Sequence, residues 1–361
     1  MKFYHKPITK IEMEVSSFCN AKCPQCVRES RNGDYSFFNQ VNLSADFFEI
    51  YYDAESVKDL RQLSFSGVVG EPAMNKHLLN IIRWFRKHNP RLYIEVSTNG
   101  GVQKSEWWAE LAAVIGSDGN VVFAIDGLED TNHIYRREVK WPQMIENVKA
   151  YIAAGGLATW QFIPFKHNEH QVEEAKLISE SMGFKSFKIR KSHRDNFNQP
   201  QNQINAVEPP DNPVYKHPGK KMDFTDMSVI DDYLSNVEVV CYAQQESSIY
   251  ISAEGLVFPC CHTNSLRFLQ DDFLPEGYDW IRDTNRNLDK DDISLYKKSL
   301  KEILASRTFN NVKDSWQKNM TEGRNPICAA ICGTGFSTVL NDTKKINFLK
   351  TDRSVEQTQR S

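Results

Sequence analysis

The chain has 361 residues, 40 % of them apolar and 25 % charged, with a net charge of −3. That length suits about two domains of roughly 150 residues each, with a core that needs no disulfide staples. The near balance of charge gives no global reason to expect nucleic acid or an anionic membrane as partner. No run of about 18 apolar residues occurs, so no membrane span is expected. The opening MKFYHKPITKIEMEV lacks the apolar run and small-residue cleavage site of a secretion signal. A cytoplasmic location is therefore expected. There thiols stay reduced, and cysteine spacing is read first as metal ligation.

From residue 9 to about 190, short β-rich runs alternate with helical ones. Ile11 to Val15 reads as a strand leading into a cysteine loop. Leu63 to Ser66 is a second strand, followed by a helix over Lys76 to Lys87. Leu92 to Ser97 is a third, followed by a helix over Lys104 to Ile115. Val121 to Ile125 is a fourth, with a helix over Pro142 to Ala154. Thr159 to Ile163 and Phe187 to Arg190 flank a helix from Glu169 to Met182. This alternation predicts a parallel α/β sheet. Six strands fall short of a closed eight-stranded barrel, so the expected fold is an open, partial (βα)6 TIM-like barrel. Ligands in such sheets sit at the carboxyl ends of the strands.

Residues 191–236 change character. The run DNFNQPQNQINAVEPPDNP is polar and rich in Asn, Gln and Pro, and reads as a linker. Ser248 to Ser252 and Leu256 to Cys260 flank Ala253-Glu254-Gly255 and read as a β-hairpin. Helical stretches follow near Ser294 to Ala305 and Val312 to Asn319. The predicted organisation is a barrel over 1–190, a linker over 191–236, a small second domain over 237–340 and a polar, frayed tail over 341–361.

The eight cysteines fall into two groups, with none between Cys26 and Cys241. In the first, Cys19-x-x-x-Cys23-x-x-Cys26 places three thiolates on a loop leaving a strand. Three thiolates grip three irons of a cubane cluster and leave the fourth iron open, whereas electron-transfer clusters are closed by a fourth cysteine. The bland alternative is a zinc knuckle completed by His5 or a distant cysteine.

On these residues the chain resembles the radical S-adenosylmethionine (radical SAM) superfamily. The resemblance implies a [4Fe–4S] cluster on Cys19, Cys23 and Cys26, with S-adenosylmethionine chelated at the open iron. Reductive cleavage would give a 5′-deoxyadenosyl radical that abstracts hydrogen from substrate. Three loops match the family in order. Gly70-Glu71-Pro72 resembles the Gly-Gly-Glu segment that contacts the cofactor's amino group, with Val69 in place of the first glycine. Ser97, Thr98 and Asn99, at the end of the third strand, stand where relatives contact the ribose or carboxylate. Asp126-Gly127 followed by His133-Ile134-Tyr135-Arg136 resembles a segment of the peptide-modifying branch. It makes Arg136 a candidate for the cofactor carboxylate through its bidentate fork.

The second cysteine group fits the same branch. Cys241-x13-Gly255-x4-Cys260, then Cys328-x-x-x-Cys332, resembles the auxiliary-cluster domain called SPASM, or its shortened twitch form. The resemblance implies an auxiliary [4Fe–4S] cluster on Cys241, Cys260, Cys328 and Cys332. A four-thiolate zinc site satisfies the same ligand count. Cys261 is left over. It reads as a small buried hydrophobe or an alternative ligand, or as a catalytic hydrogen donor or acid/base group next to the auxiliary cluster, whose pKa His262 could lower. Trp107 and Trp108 are expected to pack a helix on the sheet. The run Lys185, Lys188, Arg190, Lys191 and Arg194 reads as a solvated strand end, with an anionic substrate at the barrel mouth as the sharper alternative.

The function these readings imply is hydrogen abstraction from a peptide, protein or small molecule, served by a reductant such as flavodoxin or ferredoxin. Only eighteen residues precede Cys19, too few for a leader-binding domain ahead of it, which weighs against a ribosomal peptide unless a separate protein binds the leader. The alternatives are a non-catalytic iron–sulfur electron carrier and a zinc-stabilised binding protein.

Overall fold

Alternation of side chains along a strand gives a sheet two faces, and here the two differ in chemistry. The computed structural model describes residues 2–29, 33–192, 207–216, 227–268, 288–334 and 343–347. Six strands run parallel in chain order: β1 (Lys10–Met13), β2 (Gln62–Phe65), β3 (Tyr93–Thr98), β4 (Gly119–Ala124), β5 (Ala158–Phe162) and β6 (Ser186–Arg190). Each lies within a few residues of the strand expected from sequence. One face carries Ile11, Met13, Leu63, Phe65, Ile94, Val96, Val121, Phe123, Trp160, Phe162 and Phe187, all buried to 1 % exposure or less. The helices Leu78–His88, Ser105–Ile115, Trp141–Ala153 and Val172–Ser181 follow strands β2 to β5. Trp108 is fully buried in the second of these, packs at a tilt against Phe123 of β4 with ring centroids 5.3 Å apart, and donates its indole N–H to the Val102 carbonyl. Its expected structural role holds.

The other face is polar. The ladders align Tyr250, Glu12, Ser64, Glu95 and Asn120 in one row, and Ser97, Val122, Thr159 and Ser186 in a row displaced toward the carboxyl ends of the strands. Partners in a ladder share a face, so these side chains lie on the face opposite the one packed against the helices.

The sheet extends beyond the six expected strands. β7 (Ser248–Ile251) pairs parallel with β1, and β8 (Val257–Phe258) pairs antiparallel with β7, making the expected hairpin. Gly255 holds the turn at a φ of 72°, where an added Cβ would stand 2.8 Å from Tyr296 and 3.0 Å from Phe47. At the other edge β9 (Thr343–Asn347) pairs antiparallel with β6. This corrects the reading of 341–361 as frayed throughout. A polar segment gains order when its backbone satisfies an open sheet edge. The linker reading of 191–236 is corrected in part. Lys166 N donates to the Glu208 carbonyl, Gln25 Nε2 to the Val207 carbonyl, and the Glu169 carboxylate accepts from Asp211 N and Asn212 N. Met227–Asn236 is a helix. Arg194, most of the Asn/Gln-rich run and residues 348–361 lie outside the described residues. Among the described residues no helix is long and apolar enough to cross a membrane.

Candidate active site and auxiliary metal centre

The first cysteine loop leaves β1 and is tied to the loops after β2, β3 and β4. Phe18 O accepts from Glu71 N at 2.8 Å, and Lys22 N donates to Arg137 O at 3.0 Å. Asn20 Oδ1 accepts from Asn99 Nδ2 at 2.8 Å. Gly70 lies against the backbone leaving β1; a Cβ there would stand 1.7 Å from the Ser16 carbonyl oxygen. Only glycine permits that approach. Cys23 is buried and Cys19 and Cys26 are partly so. Burial, the Glu71 carboxylate and the sulfurs of Cys26 and Cys23 all raise the Cys19 thiol. Three soft sulfurs crowded on one short loop suit the shared positive charge of a cluster.

The Gly-Glu-Pro segment owes its form to a local cap. Glu71 caps the short helix Pro72–Met74 by accepting from Ala73 N, with Pro72 in the first turn where its missing N–H costs nothing. The same carboxylate accepts from Thr98 Oγ1 at 2.6 Å and Asn99 N at 2.8 Å. Burial raises its pKa despite these bonds. Glu71 therefore locks the ends of β2 and β3 together. Thr98 Oγ1 also accepts from Gly100 N, while Ser97 is half-buried on the polar face.

Asp126, fully buried past β4, accepts from Ile163 N at 2.7 Å and from Arg136 Nε at 2.6 Å. Arg136 Nη1 donates to Cys23 Sγ at 3.7 Å. Burial by itself would lower the Arg136 pKa, but the Asp126 carboxylate and the Cys23 sulfur raise it. The guanidinium thus stays charged beside the cysteine loop.

The second group converges from three directions on one cavity. It is lined by Cys241, Cys260, Cys328 and Cys332 among apolar neighbours that include Phe3, Val312 and Trp316. Cys241 caps the helix Tyr242–Glu246, and Val240 N donates to Cys332 O at 2.8 Å. Cys328 and Cys332 lie one turn apart on Pro326–Cys332, whose N-cap Asn325 accepts from Ile327 N and Cys328 N. Arg324 secures that turn through the Trp316, Lys318 and Val237 carbonyls. The Cys241 thiol donates to Cys332, which holds the Cys332 pKa below its ordinary value. A donor set of four thiols around an apolar cavity fits a closed four-thiolate cluster. Among the described residues no three His, Cys, Asp or Glu side chains stand placed to hold a single metal ion.

Residues 241–333 match a family described as an iron–sulfur cluster-binding domain, SPASM. The chain carries a SPASM domain. No curated protein matches the sequence. Similar solved structures include Streptococcus suis SuiB bound to S-adenosylmethionine, with 16 % identity over 89 % of this chain and 77 % of that one, TM-score 0.50. SuiB bound to its precursor peptide SuiA shares 15 % identity over 89 % and 76 %, TM-score 0.51. Native anSMEcpe with bound AdoMet and the Cp18Cys peptide shares 14 % identity over 87 % and 84 %, TM-score 0.52. This chain has the fold of these structures, with the SPASM match in its C-terminal part.

Cys261 lies outside the SPASM cavity lining. It begins the helix Cys261–Ser265, and its thiol is hydrogen-bonded to Glu12 on the polar face of β1. The idea that His262 lowers the Cys261 pKa is corrected. Burial and the Glu12 carboxylate push the thiol well up, and His262 is itself pushed down to about 4 by burial and the Arg190 charge, so it is neutral. Sequence reasoning missed Glu12 and Glu14. Glu14 is buried, accepts from Val69 N at 2.8 Å and Gly70 N at 2.9 Å, and accepts from the Tyr250 hydroxyl at 2.7 Å. The signal was two acids at alternate positions in an apolar strand, which puts both on one face.

Proposed function

We propose that the chain is a radical SAM enzyme in which Cys19, Cys23 and Cys26 hold a [4Fe–4S] cluster and Cys241, Cys260, Cys328 and Cys332 hold an auxiliary one. The observation that carries this reading is the hydrogen-bonded convergence of the loops after β1, β2 and β3 around three cysteines. When bound, the cluster supplies an electron to S-adenosylmethionine, which on cleavage furnishes the hydrogen-abstracting radical. The chain's own residues set the stage for that. Gly70, Glu71, Ser97, Thr98 and Asn99 shape the cofactor pocket, with Glu71 holding the β2 and β3 loops in place. Asp126 orients Arg136, whose charge lies beside the Cys23 sulfur and within the reach of a cofactor carboxylate. The apolar cavity lined by Cys241, Cys260, Cys328 and Cys332 would keep water from an auxiliary cluster held there, and such a cluster would supply an acceptor for an electron from substrate.

Substrate is a peptide, a protein or a small molecule. That SuiB and anSMEcpe are each found with a peptide favours the peptide reading. Anaerobically reconstituted protein, reduced with dithionite or flavodoxin, should convert S-adenosylmethionine to methionine and 5′-deoxyadenosine. Replacing Cys19, Cys23 and Cys26 with alanine should abolish this. Undiminished cleavage in that variant would overturn the proposal.

A further inference from the structure

The polar face of the sheet has two electrical poles. Glu12 and Glu95 stand in one row on β1 and β3, and Ser66 Oγ donates to Glu12 Oε1 at 2.7 Å. Lys188 shares the same face through its register with Gln161, and Arg190 follows it two residues on. The opposite face of the same strands is apolar and packed, so these charges have no part in the core. The thiol of Cys261 is hydrogen-bonded to Glu12 and within the field of Arg190. Tyr242 closes the same corner from the SPASM side, next to Cys260 and Cys261.

We propose that Glu12, Cys261 and Arg190 form the substrate-anchoring site of the barrel, and that it takes a unit bearing both an amine and an acid group. Glu12 accepts from the substrate's ammonium, and Arg190, backed by Lys188, engages its carboxylate or phosphate. The thiol then faces the atoms between the two charges. This deepens the function proposed above and rests on it in one respect: seven of the eight cysteines must be occupied as cluster ligands.

Charged thiol reagents test the site without turnover. In cluster-loaded protein, Cys261 is the cysteine left to react. Its thiolate attacks the sulfenyl sulfur of a methanethiosulfonate, forming a mixed disulfide, expelling methanesulfinate and releasing the thiol proton to solvent. Mass spectrometry should show one adduct, absent from Cys261→Ala. Both the 2-aminoethyl and the 2-sulfonatoethyl reagents should react faster than the neutral methyl reagent at low salt. The advantage should shrink at high salt. Glu12→Gln should lower the cationic-to-anionic rate ratio about tenfold and Arg190→Gln should raise it about as much, as expected for one charge a few ångströms away.

Protection of Cys261 by a free amino acid assigns the site to a small zwitterion, and protection only by a peptide carrying Lys and Glu assigns it to a peptide. Protection by neither overturns the substrate class. No labelling of Cys261, or wild-type rates indifferent to reagent charge and salt, overturns the site even if the variants fail to fold. Several adducts on Cys261→Ala would instead show empty cluster sites, which is failure of the underlying function.

Discussion

The Arg136 guanidinium donates to the sulfur of Cys23 at 3.7 Å, while Asp126 holds its Nε at 2.6 Å. A cation hydrogen-bonded to a ligand sulfur favours the reduced, more negative state of a cluster. Arg136→Met should therefore lower the midpoint potential of the first cluster by roughly 60 mV, a tenfold change for one electron. Arg136→Lys should lie between. An EPR-monitored redox titration reads this directly, and an unchanged potential would separate Arg136 from the cluster.

The approach of Gly70 to Ser16 makes a second test. Alanine at 70 would put a Cβ 1.7 Å from a backbone oxygen that cannot move without displacing β1. Gly70→Ala should destabilise the fold by about 3 kcal/mol or more. Gly323→Ala, at a left-handed position (φ 97°, ψ 32°) where an added Cβ meets nothing nearer than Lys318 Nζ at 3.9 Å, should cost only about 1 kcal/mol. Denaturant melts of the two variants compare them, and equal losses would remove the steric argument.

The six parallel strands and both cysteine groups were readable because their signals are local: a period of two, a loop after each strand, short spacings between thiols. What escaped was non-local. Nothing in Ser248–Ile251 announces that it pairs with β1 rather than only with β8, since sheet partners are chosen by the whole fold. Thr343–Asn347 is polar, and its order comes from the open edge of β6. Arg136 was legible as a cation near the fourth strand, but its ion pair with Asp126 depends on the turn between them. Glu12 and Glu14 were visible as an alternating pair, yet their partners Ser66, Tyr250 and Cys261 come from distant segments.

Glu14 links the SPASM segment to the Gly70 loop, and burial raises its pKa to about 7 despite the bonds from Tyr250 and the Val69 and Gly70 amides. Below about pH 4 the carboxyl is protonated in folded and unfolded chains alike. Between there and about pH 7 the folded chain keeps a proton that the unfolded chain has released. Its contribution to stability is thus full at low pH and is lost as pH rises through 7, by up to about 3 kcal/mol. Glu14→Gln should flatten this part of the stability profile, gaining on wild type between pH 5 and 8. Parallel profiles for the two proteins would show that Glu14 titrates normally.

Cys261 adjoins Cys260, but only Cys260 lines the SPASM cavity. The intervening peptide is planar and short, so two neighbouring thiolates cannot readily reach one cubane. Loaded protein should hold about eight irons, four for each cubane. Cys260→Ala or Cys328→Ala should lose about half of them, while Cys261→Ala should keep all and leave the auxiliary-cluster spectrum unchanged. Cleavage of S-adenosylmethionine should also persist in Cys261→Ala, because the first cluster is held by a different loop. Product formation alone should fail if the thiol donates hydrogen to a substrate anchored between Glu12 and Arg190, and an oxidised by-product should accumulate. Loss of half the iron on Cys261→Ala, with Cys260→Ala intact, would assign the ligand to the other neighbour and remove Cys261 from the substrate site.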